Sequence, residues 1–399
     1  MEKFKFIDLF SGIGGFHLAM KSLGGECVFA AEIDDDAVAT YKENFGIDSK
    51  CDVTSIEKDQ IPSFDVLCAG FPCQAFSKAG QQKGFSDTRG TLFFEIERIL
   101  EYHLSTYGSP KFVFLENVRN LVSHDKGNTW ETIKNRLKEL GYILTEHPII
   151  ASPNDFGVPQ LRERVIIIGI HKSIIKSDSI TYKFERGIRN ISFARDILES
   201  RCEDKYALSD YEDKILGVWD EFIKGVKETT IGFPIWIDAF QIEESKEYPI
   251  WKNEFIRRNK ALYKNNNEFI DKWLEKNNYL NWAKPTDRKF EWQASNYIES
   301  LWEGIIQFRP SGIRVKRPTE FPALVAMVHI PIVGWLKRRI TPREAARLQS
   351  FPESFIINRN DKIAYKQFGN SLNVKVVTEV ISRVLATNAL IGSFSKNIE

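Results

Sequence analysis

Cysteine is scarce and irregularly placed in this sequence of 399 residues. The five cysteines are an odd number, none belongs to a CxxC pair, and no histidine lies near them in a zinc-ligand pattern. We therefore expect neither a disulfide scaffold nor a structural metal. The first residues also lack the apolar stretch typical of a signal peptide, and no apolar run approaches the roughly 18 residues that a membrane span needs. These absences predict a soluble protein of the reducing cell interior.

A large net charge is missing as well, because 55 Lys and Arg side chains face 54 Asp and Glu side chains. The near balance hides opposed segments. Residues 1–60 carry six basic and twelve acidic side chains, whereas residues 309–347 carry nine basic and two acidic ones, a net charge of +7. The basic segment is either a solvated surface or a face that meets DNA phosphates.

What the sequence does contain is an alternation of strand and helix patterns. Short apolar runs typical of buried parallel strands occupy residues 4–9, 64–69, 111–115 and 165–170. Helical patterns lie between them, at residues 91–102 and 128–140, the second closed by Gly141. This order predicts an α/β domain with a doubly wound, mostly parallel sheet.

The pattern changes near residue 175, where Lys, Asn, Glu and Trp become frequent. We expect a first domain at residues 1–174, a second, smaller domain of irregular or mixed structure at 175–330, and a C-terminal segment at 331–399. Within that segment Thr341 and Pro342 form a helix start. Residues 374–385 predict a helix that returns to the first domain.

A glycine-rich loop follows the first strand, in Phe10-Ser11-Gly12-Ile13-Gly14-Gly15. Such a loop is either a tight turn or a ligand site at a helix N-terminus. Glu32 lies at the distance expected for a carboxylate that binds ribose hydroxyls, and Asp52 is placed to accept from an adenine amino group. The loop lacks GxGxxG spacing, so S-adenosylmethionine is favoured over a dinucleotide.

Chemically active side chains follow the next strands. Cys73 lies in the turn Gly70-Phe71-Pro72-Cys73, where an exposed nucleophile and an inert small side chain are the alternatives. Glu116 ends the following strand, as a catalytic acid or a helix cap. Arg162 and Arg164 lie two residues apart, as a substrate clamp or a surface salt bridge. The polar segment 74–90 is suited to close over a substrate.

These segments together resemble the cytosine-C5 DNA methyltransferase family over nearly the whole chain except the middle region. The motifs that carry the resemblance stand in the family's order at residues 10–15, 70–74, 116–118, 160–164, 338–349 and 367–371. Two small departures concern Cys51 before Asp52, where the family has glycine, and residues 152–154. The resemblance implies a Cys73 thiolate that adds to carbon 6 of a flipped-out cytosine, with Glu116 at N3 and the exocyclic amine.

The family's site residues can be set on this sequence. The resemblance implies a site for S-adenosylmethionine at Phe10, Gly12, Gly14, Glu32, Ile33, Asp52, Val53, Pro72, Leu92, Asn370 and Leu372. It implies a catalytic group of Cys73, Glu116, Arg162 and Arg164. Residues 175–330 would recognise the target sequence. Basic side chains expected to bind DNA are Lys78, Arg89, Arg309, Arg314, Lys316 and Arg317.

The resemblance implies a monomeric enzyme of the bacterial cytoplasm, with duplex DNA containing a specific cytosine site as its partner. A functional pairing with a restriction endonuclease is compatible with it. One alternative is a tRNA cytosine methyltransferase, because such relatives share the cysteine and glutamate motifs. The other is a DNA-binding protein that has lost catalysis, which the intact Cys73 and Glu116 oppose.

Overall fold

A computed structural model describes residues 4–72, 92–108, 110–182, 194–226, 232–324 and 329–388. The strands, in chain order, are β1 (Lys5–Leu9), β2 (Glu26–Ala31), β3 (Val66–Ala69), β4 (Phe112–Val118), β5 (Tyr142–Leu144), β6 (Ile149–Ala151), β7 (Gln160–Leu161), β8 (Arg164–His171), β9 (Ile235–Trp236), β10 (Lys289–Trp292), β11 (Ile305–Arg309), β12 (Gly312–Lys316), β13 (Phe321–Pro322), β14 (Ile332–Val333) and β15 (Arg338–Arg339). The α-helices are α1 (Gly15–Ser22), α2 (Asp35–Phe45), α3 (Leu92–Tyr107), α4 (Asn128–Glu139), α5 (Asp210–Gly225), α6 (Ile250–Lys276), α7 (Pro342–Leu348), α8 (Asp361–Asn370) and α9 (Val374–Thr387). Within the described ranges, no helix is both long and apolar enough to span a membrane.

The chain divides into two compact units, the first with residues 1–191 and 345–399 and the second with 192–344. The domain boundaries expected from the sequence lie elsewhere, after residues 174 and 330. Ile175 and Ile180 account for the first difference, because both are buried in the core of unit 1. Strands β14 and β15 account for the second, because they pair within the sheet of unit 2.

Unit 1 is built on one sheet in the order β2-β1-β3-β4-β8-β5, with β6 also paired to β8. Strands β2, β1, β3 and β4 are parallel neighbours. This confirms the predicted α/β, mostly parallel sheet, but the parallel direction expected for the strand at residues 165–170 is wrong. Strand β8 runs antiparallel to β4. Helix α4 carries the chain from β4 to β5, and after β6 the chain turns back into β8 with no second α-helix between them.

Helices pack on both faces of this sheet because each has one apolar stripe. In α3 the apolar stripe predicted at Leu92, Phe93, Ile96, Ile99 and Leu100 faces the core, and all but the partly buried Leu92 are fully buried. Helix α9 buries Val380 and its apolar neighbours in the core that also contains residues of α1, which confirms that the C-terminal helix returns to unit 1.

Unit 2 has a mixed sheet in the order β15-β14-β11-β12-β10-β9. Helices α5 and α6 supply Trp219 and Trp273 to its core, where the Trp219 ring stacks on Phe290 of β10 at a centroid distance of 4.8 Å. Ser209 and Glu212 start α5 with a reciprocal capping box. The tryptophans that are frequent in this region of the sequence therefore include core residues of unit 2.

Candidate active site

A cavity of about 640 Å³ lies at the carboxyl edge of the parallel strands in unit 1. Its walls come from the segments that follow β1, β2, β3 and β4, together with residues before β8 and at the end of α8. Strands β1 and β3 are neighbours in the sheet, but the connection after β1 leads to β2 on one side and the connection after β3 leads to β4 on the other. Doubly wound folds bind ligands at the carboxyl ends of two such strands. The volume lies in the range of small-molecule and cofactor sites.

The glycine-rich loop forms one wall through an unusual backbone. Phe10, Gly12 and Gly14 all have positive φ, and for Phe10 this conformation is strained. Gly14 begins α1 and does not line the cavity; a Cβ atom there would lie 2.2 Å from the Phe45 ring. Gly15 is packed against Leu372 in the same way. The predicted cofactor glycine Gly14 thus serves close packing behind the loop.

Glu32 ties this loop to the end of β2. One carboxylate oxygen accepts from the backbone N–H of Gly12 at 2.8 Å, and the other accepts from the N–H groups of Ile33 and Asp34 at 2.8 and 2.9 Å. Asp52, on the same wall, binds Thr54 through only one of its oxygens. Both carboxylates keep acceptor capacity toward the cavity.

Asn117 fastens the end of β3 to the end of β4. Its side-chain N–H donates to the carbonyl of Phe71 at 2.8 Å, and its Oδ1 accepts from the N–H of Val118 at 2.9 Å. The side chain is buried, with 3% exposure. Since Phe71 and Pro72 lead directly to Cys73 in the sequence, Asn117 fixes the backbone from which the predicted nucleophile starts.

Glu116 and Arg164 form an ion pair on the cavity wall. The Nε of Arg164 lies 3.1 Å from Oε1 of Glu116, and the two side chains are 19% and 13% exposed. Burial raises the pKa of the Glu116 carboxyl, while the charges of Arg164 and Arg162 oppose the rise. A carboxyl with a raised pKa is suited to donate a proton or a hydrogen bond.

Arg162 lies in the same wall but is bonded to the backbone. Its Nη2 donates to the carbonyls of Gly369 and Ser371 at 2.9 and 2.7 Å. Burial, and next the charge of Arg164, lowers the pKa of Arg162 to about 9. The two predicted arginines are therefore brought together as expected but differ in their contacts: Arg164 meets a carboxylate and Arg162 holds the segment after α8.

Behind the loop lie buried polar side chains that were not predicted from the sequence. Asp8 lines the cavity at 1% exposure, and burial raises the pKa of its carboxyl well above the usual value. The Nδ1 of His17 lies 2.8 Å from the hydroxyl of Tyr41. Burial lowers the pKa of His17 to about 4, so this ring is neutral at pH 7.

The cavity brings together most of the residues that the sequence analysis selects. The predicted cofactor residues that line it are Phe10, Gly12, Glu32, Ile33, Asp52, Val53, Pro72, Leu92, Asn370 and Leu372. Glu116, Arg162 and Arg164 line it as well. Cys73, Lys78 and Arg89, with the expected closing segment 74–90, lie outside the described residues. Lining residues that the sequence analysis missed include Asp8, Ser11, Asn117 and Lys366.

The basic segment 309–347 does not form one continuous phosphate-binding stripe. Arg338 is buried and makes a double hydrogen bond to Glu344, at 2.8 and 2.7 Å, because a buried guanidinium requires a partner. Lys337 and Arg339 pair with Asp213 and Glu212 of α5.

The four candidate DNA contacts of the basic segment also differ among themselves. Arg309 and Arg314 share the carboxylate of Glu291. Arg317 lies over the Tyr297 ring, 3.8 Å from its centroid. Lys316 is partly buried, and that burial lowers its pKa. These contacts leave each residue's role in DNA binding as a prediction.

The fold and the cavity define an α/β enzyme that holds its ligand at the carboxyl ends of parallel strands. A family model described as C-5 cytosine-specific DNA methylase matches residues 4–386, and the chain belongs to this family. The resemblance drawn from the sequence motifs is thereby confirmed. Membership makes the chain an enzyme that methylates cytosine at carbon 5 in DNA.

Individual relatives agree with this assignment. The chain is 38% identical over 389 residues to the type II methyltransferase M.HpaII of Haemophilus parainfluenzae, covering 96% of this chain and 90% of the relative. It is 37% identical over 432 residues to the type II methyltransferase M.BanI of Aneurinibacillus aneurinilyticus, covering 97% and 96%. The solved structure of the Entamoeba histolytica methyltransferase EhMeth aligns with a TM-score of 0.56 at 18% identity, covering 97% and 99%, which shows the common fold.

Proposed function

We propose that this enzyme takes its methyl group from S-adenosylmethionine and attacks the cytosine through Cys73, within a specific short sequence of duplex DNA. The observation that carries the proposal is the Glu116–Arg164 pair on the wall of the unit 1 cavity. It combines an acid of raised pKa with a fixed positive charge next to the backbone segment that continues into Cys73.

The cavity residues match the groups of S-adenosylmethionine. The apolar side chains of Phe10, Ile33 and Val53 would pack against the adenine ring. Ile33 is 65% exposed although it is apolar, as expected of a side chain that a ligand covers. Glu32 would accept from ribose hydroxyls and Asp52 from the adenine amino group. The buried hydroxyl of Ser11 has no hydrogen-bond partner among the described residues, so a bound polar group would satisfy it. When bound, S-adenosylmethionine supplies an electrophilic methyl group.

The protein's own residues would make carbon 5 of cytosine reactive. The Cys73 thiolate forms a bond to carbon 6, and the electron pair of the ring double bond moves toward carbon 5 and N3. Glu116 donates a proton or hydrogen bond at N3 and so accommodates this charge. After carbon 5 is methylated, a base such as water removes the carbon 5 proton and the thiolate departs, while Glu116 takes back any proton given to N3, which restores the aromatic ring. A free thiol has a pKa near ~8.5, so positive charge near Cys73, as on Arg164, would favour the thiolate.

Unit 2 is proposed to recognise the target sequence, with duplex DNA as the partner and the cytosine flipped out of the helix. We also infer a monomer that acts on DNA in the cell interior. By analogy with relatives that are named type II methyltransferases, we infer a functional pairing of this enzyme with a restriction endonuclease of the same specificity.

Two assays test the proposal. Bisulfite sequencing of DNA from bacteria that express the chain should show protected cytosines within one short sequence. Purified protein should transfer labelled methyl groups from S-adenosylmethionine to duplex DNA carrying that sequence and not to tRNA. Transfer to tRNA alone would refute the choice of DNA.

Variants of two cysteines separate mechanism from folding. Cys73→Ser should abolish transfer while the binding of S-adenosylmethionine, measured by calorimetry, is retained. Cys202→Ser, which changes a partly exposed thiol of unit 2, should keep wild-type activity. Full activity of Cys73→Ser would refute the covalent mechanism.

A further inference from the structure

The sheet of unit 2 has one apolar face, and on strands β10 and β12 the opposite face is polar. Alternate residues of a strand point to opposite faces, and the residues that flank Glu291 and Arg314 belong to the core. Those buried neighbours are Phe290, Trp292, Ile313 and Val315. Glu291 of β10 and Arg314 of β12 therefore lie on the other face. The strand register sets them side by side, and sets Arg314 opposite Gln307 of β11.

One carboxylate on this face holds two arginines. The Nε of Arg314 donates to Oε2 of Glu291 at 2.8 Å, and Nη1 of Arg309 donates to the same oxygen at 3.3 Å. The three side chains are 22 to 27% exposed. Glu291 neutralises only one of the two guanidinium charges, so the cluster keeps a net charge of +1. A purely structural ion pair would need only one arginine.

The contacts of Arg314 leave its outer end available. Its Nη1 and Nη2 have no hydrogen-bond partner among the described residues, and neither is buried. Because Nε is anchored, the plane of the guanidinium and the direction of its terminal N–H pair are fixed. Such preorganisation reduces the entropy lost on binding.

The chemistry of this fork favours a base edge over a phosphate. Guanine presents two adjacent acceptors, O6 and N7, in the major groove, and a planar arginine fork matches them. A phosphate also accepts from such a fork, but Glu291 offsets part of the positive charge that would attract it. Gln307 adds rigidity on the other side, because its side-chain N–H donates to the carbonyl of His329 at 3.2 Å.

We propose that Glu291 is a positioning residue that holds Arg314 for bidentate recognition of a guanine in the target sequence. The proposal rests on the proposed function, since it assigns sequence recognition to unit 2. It also states that the methylated sequence contains a guanine whose major-groove edge is read.

The test uses the full-length enzyme and duplexes carrying the sequence found by bisulfite mapping. Each guanine of that sequence is replaced in turn by 7-deazaguanine, which lacks the N7 acceptor. With wild-type enzyme, kcat/KM should fall by about 5- to 150-fold at one guanine. In Arg314→Met, which has no hydrogen-bond donor on its side chain, the same replacement should cause no further loss.

Glu291→Gln should reduce the 7-deazaguanine effect at that same guanine at least threefold, while kcat at saturating unmodified DNA and the affinity for S-adenosylmethionine stay within twofold of wild type. Glu299→Gln, a change at an exposed glutamate of unit 2, should keep the full effect. These shifts at a single position are not expected from a structural role.

Three results would overturn the proposal. Wild-type enzyme that responds to 7-deazaguanine at no position reads no guanine through N7. A Glu291→Gln variant that loses activity on all duplexes equally, with the single-position effect unchanged, assigns Glu291 a structural role. A uniform loss with a weaker salt dependence in Arg314→Met assigns the arginine to phosphate. If the wild-type enzyme methylates no DNA, the proposed function itself fails.

Discussion

Replacing Asn117 with leucine should uncouple the ends of β3 and β4. Leucine keeps the volume but removes two hydrogen bonds, one to the carbonyl of Phe71 and one from the N–H of Val118. The Phe71 carbonyl lies in a buried environment, where an unsatisfied group costs about 1–3 kcal/mol, and the partly buried Val118 N–H adds about 1 kcal/mol. The free energy of unfolding should therefore fall by about 2–4 kcal/mol.

The same change should affect catalysis, because Phe71 and Pro72 lead into Cys73. Denaturant unfolding and single-turnover methyl transfer on one preparation measure both effects, and we expect the single-turnover rate to fall at least tenfold. The exposed Asn120→Leu variant is the matched control, with a stability change within about 0.5 kcal/mol. A stable, fully active Asn117→Leu enzyme would show that this amide does not organise the site.

Three further predictions concern stability, each measured by denaturant unfolding. Gly14→Ala should cost about 1–3 kcal/mol more than Gly12→Ala, because both have positive φ but only the Gly14 Cβ meets an aromatic ring, at 2.2 Å; equal costs would contradict the packing role. Because the pKa of His17 is about 4 in the folded chain against 6.5 for a free histidine, the unfolded chain takes up this proton first as the pH falls. His17 should thus lower stability by up to about 3 kcal/mol from pH 6.5 toward pH 4. His17→Gln should make this slope shallower, with the contributions of His103 and His171 remaining, and an unchanged slope would refute the assignment. Arg338→Met should cost about 3–5 kcal/mol, because the fully buried Glu344 loses its positively charged partner and keeps only backbone N–H donors; adding Glu344→Gln should recover part of it, and no recovery would count against an uncompensated charge.

The elements that sequence reasoning predicted correctly are those with strong local patterns. Continuous apolar runs identified β1, β3 and β4, and the stripe of α3 matched its buried face. The direction of β8 could not be found this way, because an apolar run has the same pattern in a parallel and an antiparallel strand. That direction depends on how the chain travels between β4 and β8.

The unit boundaries escaped prediction for a similar reason. The change of composition near residue 175 does not coincide with the end of the core, because Ile175 and Ile180 belong to the core of unit 1. Short strands such as β14 and β15, of two residues each, carry no periodicity. Only their pairing partners, distant in sequence, assign them to unit 2.

Within the site, the motif residues next to strand ends could be predicted from the sequence, but most of the residues that hold them in place could not. Glu116 reaches the cavity from the carboxyl end of β4, and Arg162 and Arg164 reach it from the start of the antiparallel strand β8. Asn117 could have been found, since an amide at the end of a buried strand must bond to something. The pairing of Glu291 with Arg314 could not, because it depends on strand register across 23 residues.

The most direct test of the account is to trap the bond between Cys73 and carbon 6. A duplex with the target cytosine replaced by 5-fluorocytosine should stop the reaction after methylation, because fluorine at carbon 5 cannot leave as a proton does. With S-adenosylmethionine present, mass spectrometry should find one DNA strand attached to the peptide containing Cys73 in the wild-type enzyme and in Cys202→Ser, and no adduct in Cys73→Ser. An adduct at another residue, or none in an enzyme that methylates ordinary duplex DNA, would contradict Cys73 as the nucleophile.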